Sequence, residues 1–253
     1  MLEIFQTIIA GALGGIFGSY ATLFAYRLPS DQSCFGRYFG PKSHCPNCKK
    51  ILKTRELIPI INWYVTKGKC SKCGFIIPKS HLFLEVTIAI LFMVNFHLFG
   101  FSDQFIIFSL ILTAAMVGLV TDFKNHILPN PVLFIILTIG LSNRVLIDGE
   151  VIQAIFSATI GLIFAAIFYK IFFNDGKNSF LTKQDQALAY SKFMIIASVC
   201  LSPISFILYA ACILLIISIF LLFGNFPRRN SPRLGIALII PFIWLLIYSP
   251  LDF

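Results

Sequence analysis

The sequence predicts an all-α polytopic membrane protein of about eight transmembrane helices with one small cytoplasmic insert, and three observations carry that prediction. Of its 253 residues, 58% are hydrophobic and 12% are charged, against about 25% charged in a soluble domain. Apolar runs recur from Ile4 to the C-terminus, each near the ~20 residues that a helix needs to cross ~30 Å of hydrocarbon. These runs do not alternate apolar with polar residues, which excludes a membrane β-barrel and leaves helices to satisfy the backbone in lipid.

Element by element, the spans are read at about 4–26, 82–101, 105–121, 130–147, 151–173, 186–201, 204–224 and 234–250. The first is a retained span rather than a cleaved signal peptide, because it is long and Gly-rich and Glu3 stands where such a peptide needs basic residues. Gly11, Gly14, Gly15 and Gly18 form two overlapping small-xxx-small patterns, which suit close helix packing. The net charge of +9 does not point to nucleic acid. With the N-terminus outside and eight spans following, every Lys and Arg except Arg144 lies on the cytoplasmic side, as the positive-inside rule requires. The chain then divides into a first transmembrane helix (1–26), a cytoplasmic insert (27–81) and a transmembrane domain (82–253). The external connections are short and the internal ones long, so function is expected on the cytoplasmic side.

The insert holds Cys45-Pro-Asn-Cys48, then twenty-one residues, then Cys70-Ser-Lys-Cys73-Gly74, a pair of C-x2-C knuckles at zinc-ribbon spacing. Two such hooks can turn four thiolates toward one tetrahedral point, which Zn2+ favours, and the Gly permits a tight turn. Four protein ligands leave no open position, so the metal would be structural. Nearby Lys42, Lys49, Lys50, Lys69 and Lys72 favour the thiolates. The competing reading is two disulfides, against which a reducing cytosol argues. Cys34, Cys200 and Cys212 have no partner at ligand spacing.

Eleven acidic residues serve the whole chain, so those at span ends are informative. Glu3, Asp103, Asp148, Glu150 and Asp252 fall outside and read as solvated caps, while Asp31 and Glu56 belong to the insert. Asp122 ends the third span in Thr121-Asp122-Phe123-Lys124, and Asp185 opens the sixth in Thr182-Lys183-Gln184-Asp185-Gln186-Ala187. Two carboxyls brought together at a membrane surface cannot both ionise cheaply, so one stays an acid and the other a base. That is the arrangement by which an aspartic protease activates water. The plainer reading makes Asp185 a helix cap and Asp122 a capped or lysine-paired surface group. Glu85 is expected to snorkel or to pair with a lysine, and His126 to be interfacial.

These residues resemble the type IV prepilin peptidases, bacterial membrane aspartic proteases. Gly18-Ser19-Tyr20 through Tyr26-Arg27-Leu28-Pro29 is similar to that family's opening span and its exit. The insert follows in order with Cys45-Pro-Asn-Cys48, Glu56 through Trp63, Gly68 through Gly74, Ile77-Pro78 and Leu84-Glu85. Asp122 with Leu128-Pro129 resembles the first catalytic motif, with Asn130 where the family commonly has Asp. Ser231 through Ala237 resembles a worn form of the segment leading into the last span. The second motif departs from Gly-x-Gly-Asp with a following Lys: both glycines and the lysine are missing around Asp185, and Asp175 is an alternative acid.

The resemblance implies a peptidase of the bacterial inner membrane that removes the basic leader of prepilins or pseudopilins at the cytoplasmic face, with Asp122 and Asp185 as the catalytic pair. It also implies N-methylation of the new terminus by S-adenosylmethionine, an activity associated with the cysteine-bearing region. Two rivals remain at this point. One is a non-catalytic relative that binds prepilins or assembly proteins without cutting them. The other is a transporter, disfavoured because the spans are nearly free of mid-span charge.

Overall fold

Long runs of Leu, Ile, Phe and Ala leave the backbone no partner in lipid but itself, and they fold as helices throughout the computed structural model. The structure describes residues 1–30, 34, 42–147, 149–173, 181–222 and 234–248, with side chains for these except 147, 171–173, 181–187, 217–222, 234–236 and 248. Among the described residues the long helices are α1 (Leu2–Arg27), α3 (Lys79–Phe99), α4 (Asp103–Asn125), α5 (Asn130–Ser142), α6 (Val151–Phe173), α7 (Leu181–Cys200), α8 (Pro203–Leu222) and α9 (Leu234–Tyr248), with a short α2 (Ile61–Val65) in the insert. Four of them, α1, α3, α4 and α6, are long and apolar enough to cross a membrane, and the other long ones include shorter apolar stretches. The described residues contain two isolated β-bridges and no strand. The all-α polytopic class is therefore what the structure has, with each expected span matched by a helix.

Two compact units divide the chain at Val117 and Gly118, within α4. In the first, α1 packs on α3 through its glycines. A Cβ at Gly14 would lie 2.7 Å from Ala89 Cα, and one at Gly18 would lie 2.7 Å from Glu85 Cα, closer than any side chain permits. These two positions are the close contact that small-xxx-small spacing predicts. Gly15 is not part of it, since the nearest atom to its Cβ would be 3.6 Å away on Pro59. Asn95, buried in α3, donates its Nδ2 to Phe105 O at 3.0 Å and Ser109 Oγ at 2.7 Å, tying α3 to the start of α4.

In the second unit, α6 crosses α7 where Gly161 faces Ser198, leaving no room for a Cβ. Buried Phe193, Phe206, Tyr209 and Phe242 make the core, with Phe193 and Phe242 edge to face at 5.3 Å. Arg144, the exception in the charge pattern, lies in a π-helical turn that extends α5 (Asn143–Ile147). It is buried and pairs with Glu150 at 3.2 Å. Glu150 is thus a partner for a buried cation rather than the solvated cap its position suggests.

Candidate active site and metal centre

The two knuckles of the insert fold alike. Cys45 donates its amide to Lys50 O at 2.9 Å, and Cys70 donates to Phe75 O at 2.9 Å. Lys49 donates back to Cys45 O, and Gly74 to Cys70 O. Both Lys49 and Gly74 adopt positive φ, at 55° and 71°. Each hook thereby turns through a left-handed residue directly after its second cysteine, and a glycine is present in one of the two.

The turns gather Cys45, Cys48, Cys70 and Cys73, whose sulfurs all lie within 4.8 Å of one another. Cys45 and Cys73 stand 3.8 Å apart, and Cys48 and Cys70 stand 3.9 Å apart. A disulfide needs about 2.04 Å between sulfurs, whereas a tetrahedral thiolate site with Zn–S of ~2.3 Å has edges of about 3.8 Å. Donor type, number and spacing therefore suit a four-thiolate metal ion. The amides of Lys72 and Cys73 hold the Cys70 thiol down at about 6, and the Phe75 amide lowers that of Cys73. Both effects favour the thiolate that a metal binds. Cys48 goes the other way: against the pull of the Lys50 amide, burial and the neighbouring thiols push it up to about 11, so the case for a metal rests on the sulfur geometry.

Glu56 fastens the two hooks together. It accepts from Lys50 Nζ at 2.6 Å, from the Lys53 amide at 2.9 Å and from Ser71 Oγ, which lies beside Cys70. The Lys50 ammonium, then the Lys53 amide and the Ser71 hydroxyl, lower its carboxyl to about 2. Glu85 anchors the insert to α3 by accepting the Ile60 amide at 2.8 Å. Ile60 takes a positive φ of 61° at the start of α2, so the partner of Glu85 is a constrained backbone amide and not a lysine. Between the insert and the adjoining ends of α1 and α3 lies a cavity of about 240 Å³, lined by Tyr26, Arg27, His44, Trp63, His81 and Glu85 among others.

In the second unit, Asp122 is fully buried near the end of α4. The helix closes at His126, whose amide returns to Asp122 O at 2.9 Å and whose φ is 56°. Leu128 then packs over Gly118, and Pro129 stands at the N-cap of α5. Tyr190 of α7, also buried, donates its hydroxyl to Asp122 Oδ1 at 2.6 Å. Lys192 of the same helix reaches Asn130 Oδ1 at 3.5 Å. Two side chains of α7 thus meet the segment that runs from Asp122 to Asn130.

Asp185 belongs to α7, five residues before Tyr190 and about 7.5 Å from it along the axis at 1.5 Å per residue. Its side chain and those of the 182–187 stretch lie outside the described residues, as do Asp175 and the 231–233 stretch. Tyr190 escaped the sequence reading because a tyrosine in an apolar run reads as packing. Its spacing from Asp122 carries no periodic signal that could have found it.

Comparison with known proteins agrees with this architecture. The family description "Bacterial Peptidase A24 N-terminal domain" matches residues 12–99, which hold α1 from residue 12 onward, the insert and α3. A "Prepilin leader peptidase/N-methyltransferase" of Dichelobacter nodosus is 30% identical over 220 residues, covering 81% of this chain and 71% of that protein. The protein of the same description from Bacillus subtilis is 29% identical over 155 residues, 61% of each chain. That of Myxococcus xanthus is 30% identical over 118 residues, 46% of this chain and 34% of the other. The matched stretch therefore spans less than two thirds of the Bacillus and Myxococcus relatives. No solved structure matches the chain. With the cysteine insert, the helical array and the extent of the Dichelobacter match together, the chain belongs to the type IV prepilin peptidase family.

Proposed function

We propose that this protein is a prepilin leader peptidase that cleaves the leader of type IV prepilins or pseudopilins at the cytoplasmic face of the bacterial inner membrane. The observation that carries the proposal is the buried Asp122, hydrogen-bonded by Tyr190 from the helix that also bears Asp185. Asp122 and Asp185 form the acid pair. One carboxylate takes a proton from water, whose oxygen adds to the scissile carbonyl. The protonated partner donates to the carbonyl oxygen, and collapse of the adduct passes a proton to the leaving amine, breaking the C–N bond. The substrate's apolar helix lies in the bilayer with its basic leader in the cytosol, which brings the bond to the membrane surface.

In this reading residues 27–81 form the cytoplasmic insert, held by Zn2+ on Cys45, Cys48, Cys70 and Cys73, with the N-terminus outside and 82–253 as the transmembrane peptidase domain. The sulfur spacing supports the metal assignment. When bound, zinc supplies a structural cross-link between the two hooks. N-methylation of the new terminus with S-adenosylmethionine is proposed on the relatives' descriptions alone.

The altered 182–187 stretch favours a second reading, a relative that binds prepilins or assembly partners without cutting them. Co-expression with a prepilin in membranes, following leader loss by mass, separates the two. The peptidase reading expects processing that Asp122→Ala or Asp185→Ala abolishes. Processing that survives Asp185→Ala moves the second acid to Asp175, and no processing of a cognate prepilin favours the non-cutting relative.

A further inference from the structure

We infer that Tyr190 is a positioning residue for Asp122, an inference that rests on the peptidase reading of this site. Its hydroxyl lies 2.6 Å from Asp122 Oδ1, and both residues are buried, at 2% and 0% exposure. A phenol hydroxyl donating to a carboxyl oxygen at this distance is a short, strongly directional bond, and it is stronger still away from water. It commits one carboxylate oxygen to a known direction and thereby sets the direction of the other.

The bond matters because of what stands next to it. The chain lacks the glycines before Asp185 and the lysine after it, so the N-terminal turn of α7 has lost the residues that make the family's second motif. Tyr190 lies between one and two turns further along the same helix. Through its hydroxyl, α7 and the end of α4 are registered at the reacting carboxylate itself. Lys192 to Asn130 makes a second, longer contact between the same two segments. Asn130 replaces the family's acid at that point, so the pair is neutral at one end and holds weakly. Tyr190 is therefore the stronger of the two ties, and the one that reaches a catalytic candidate.

The role is geometric. Tyr190 neither contacts the scissile bond nor exchanges a proton with it; the phenol keeps its proton while Asp122 does the chemistry. Its loss should lower turnover and leave substrate binding in place, because misplacing a reacting group by a fraction of an ångström costs far more in rate than in affinity.

The test uses the purified full chain in detergent, cutting a full-length prepilin, as wild type, Tyr190→Phe and Asp122→Ala. Rates are normalised to monodisperse folded protein, and the thermal midpoint of each variant is recorded. Tyr190→Phe keeps the ring and removes only the hydroxyl, so the expected result is a kcat lower by about tenfold or more with KM within about twofold of wild type. Ultraviolet resonance Raman of the tyrosine doublet gives a second readout that needs no turnover. A strong phenol donor should be present in wild type and missing from both Tyr190→Phe and Asp122→Ala.

An unchanged kcat in Tyr190→Phe overturns the inference. So does a raised KM at unchanged kcat, which would make Tyr190 a substrate-binding residue. A wild-type spectrum without a donor tyrosine overturns it independently. A wild type that binds but never cuts its prepilin sinks the peptidase reading and the positioning role with it, while the Raman arm still decides whether the bond exists.

Discussion

Glu56 joins the first cysteine knuckle to the second with a single carboxylate, through Lys50 on one side and Ser71 on the other. Its carboxyl titrates at about 2 in the folded chain, below the ~4.3 of an unfolded glutamate. The lowered value means that its stabilisation is fully present above about pH 4.3 and is lost as pH falls from there through about 2. Thermal unfolding of wild type and Glu56→Gln should therefore differ at pH 7, and the gap should shrink as pH falls from about 4.3 and close only toward about 2; a gap that does not depend on pH would contradict the assignment. Lys49 offers a test of opposite sign. It holds the left-handed turn that Gly74 holds in the other hook, so Lys49→Gly should stabilise the insert by about 1 kcal/mol or less. Chemical denaturation would reveal that gain, and a loss would mean that the lysine side chain contributes more than its backbone strain costs. Both features depend on the cysteine spacing, which was legible in the sequence. The partner of Glu85 was not, because the backbone amide of Ile60 carries no signature of its own and reaches Glu85 only when the insert folds down on α3.

At the scale of the element, α1 and α3 meet at Gly14 and Gly18, where backbone touches backbone. A side chain at either position must push the helices apart, and overpacking of this kind costs about 1 to 3 kcal/mol. Gly18→Ala should lower the unfolding midpoint of the detergent-solubilised protein, while Gly15→Ala should change it little, because the Cβ there meets Pro59 at an ordinary 3.6 Å. Equal effects at the two sites would remove the distinction between a packing and a non-packing glycine. Spacing alone marked all four glycines of α1 as candidates. It could not say which faced a partner, since that depends on the rotation of α1 about its axis against α3.

Across the whole molecule, the four-thiolate centre and the buried acid belong to separate compact units, residues 1–117 and 118–253. On the proposed reading, the metal that would hold the insert and the acid pair should therefore be separable by experiment. Purified protein is expected to carry about one zinc per chain by elemental analysis, consistent with one tetrahedral site, and Cys48→Ser or Cys73→Ser should lose it. The double substitution should loosen the insert to proteolysis while α6 to α9 stay resistant. Zinc retained after loss of two thiols would mean that other ligands hold it.

What the sequence determined by itself was whatever follows from local pattern: eight apolar spans, since hydropathy needs only neighbours, and the four-cysteine cluster, since C-x2-C is a local hook. It also placed Asp122 at a helix end, because the run stops there. What only the tertiary structure decided was the partner of each buried polar group. Asp122 meets Tyr190 across 68 residues, Glu85 meets the Ile60 amide, and Arg144 meets Glu150 in a turn that reads as solvent-exposed. The physical reason is common to all three. A buried polar atom must find a partner, but which one it finds is set by how distant helices pack, and no periodicity within a single helix records that choice.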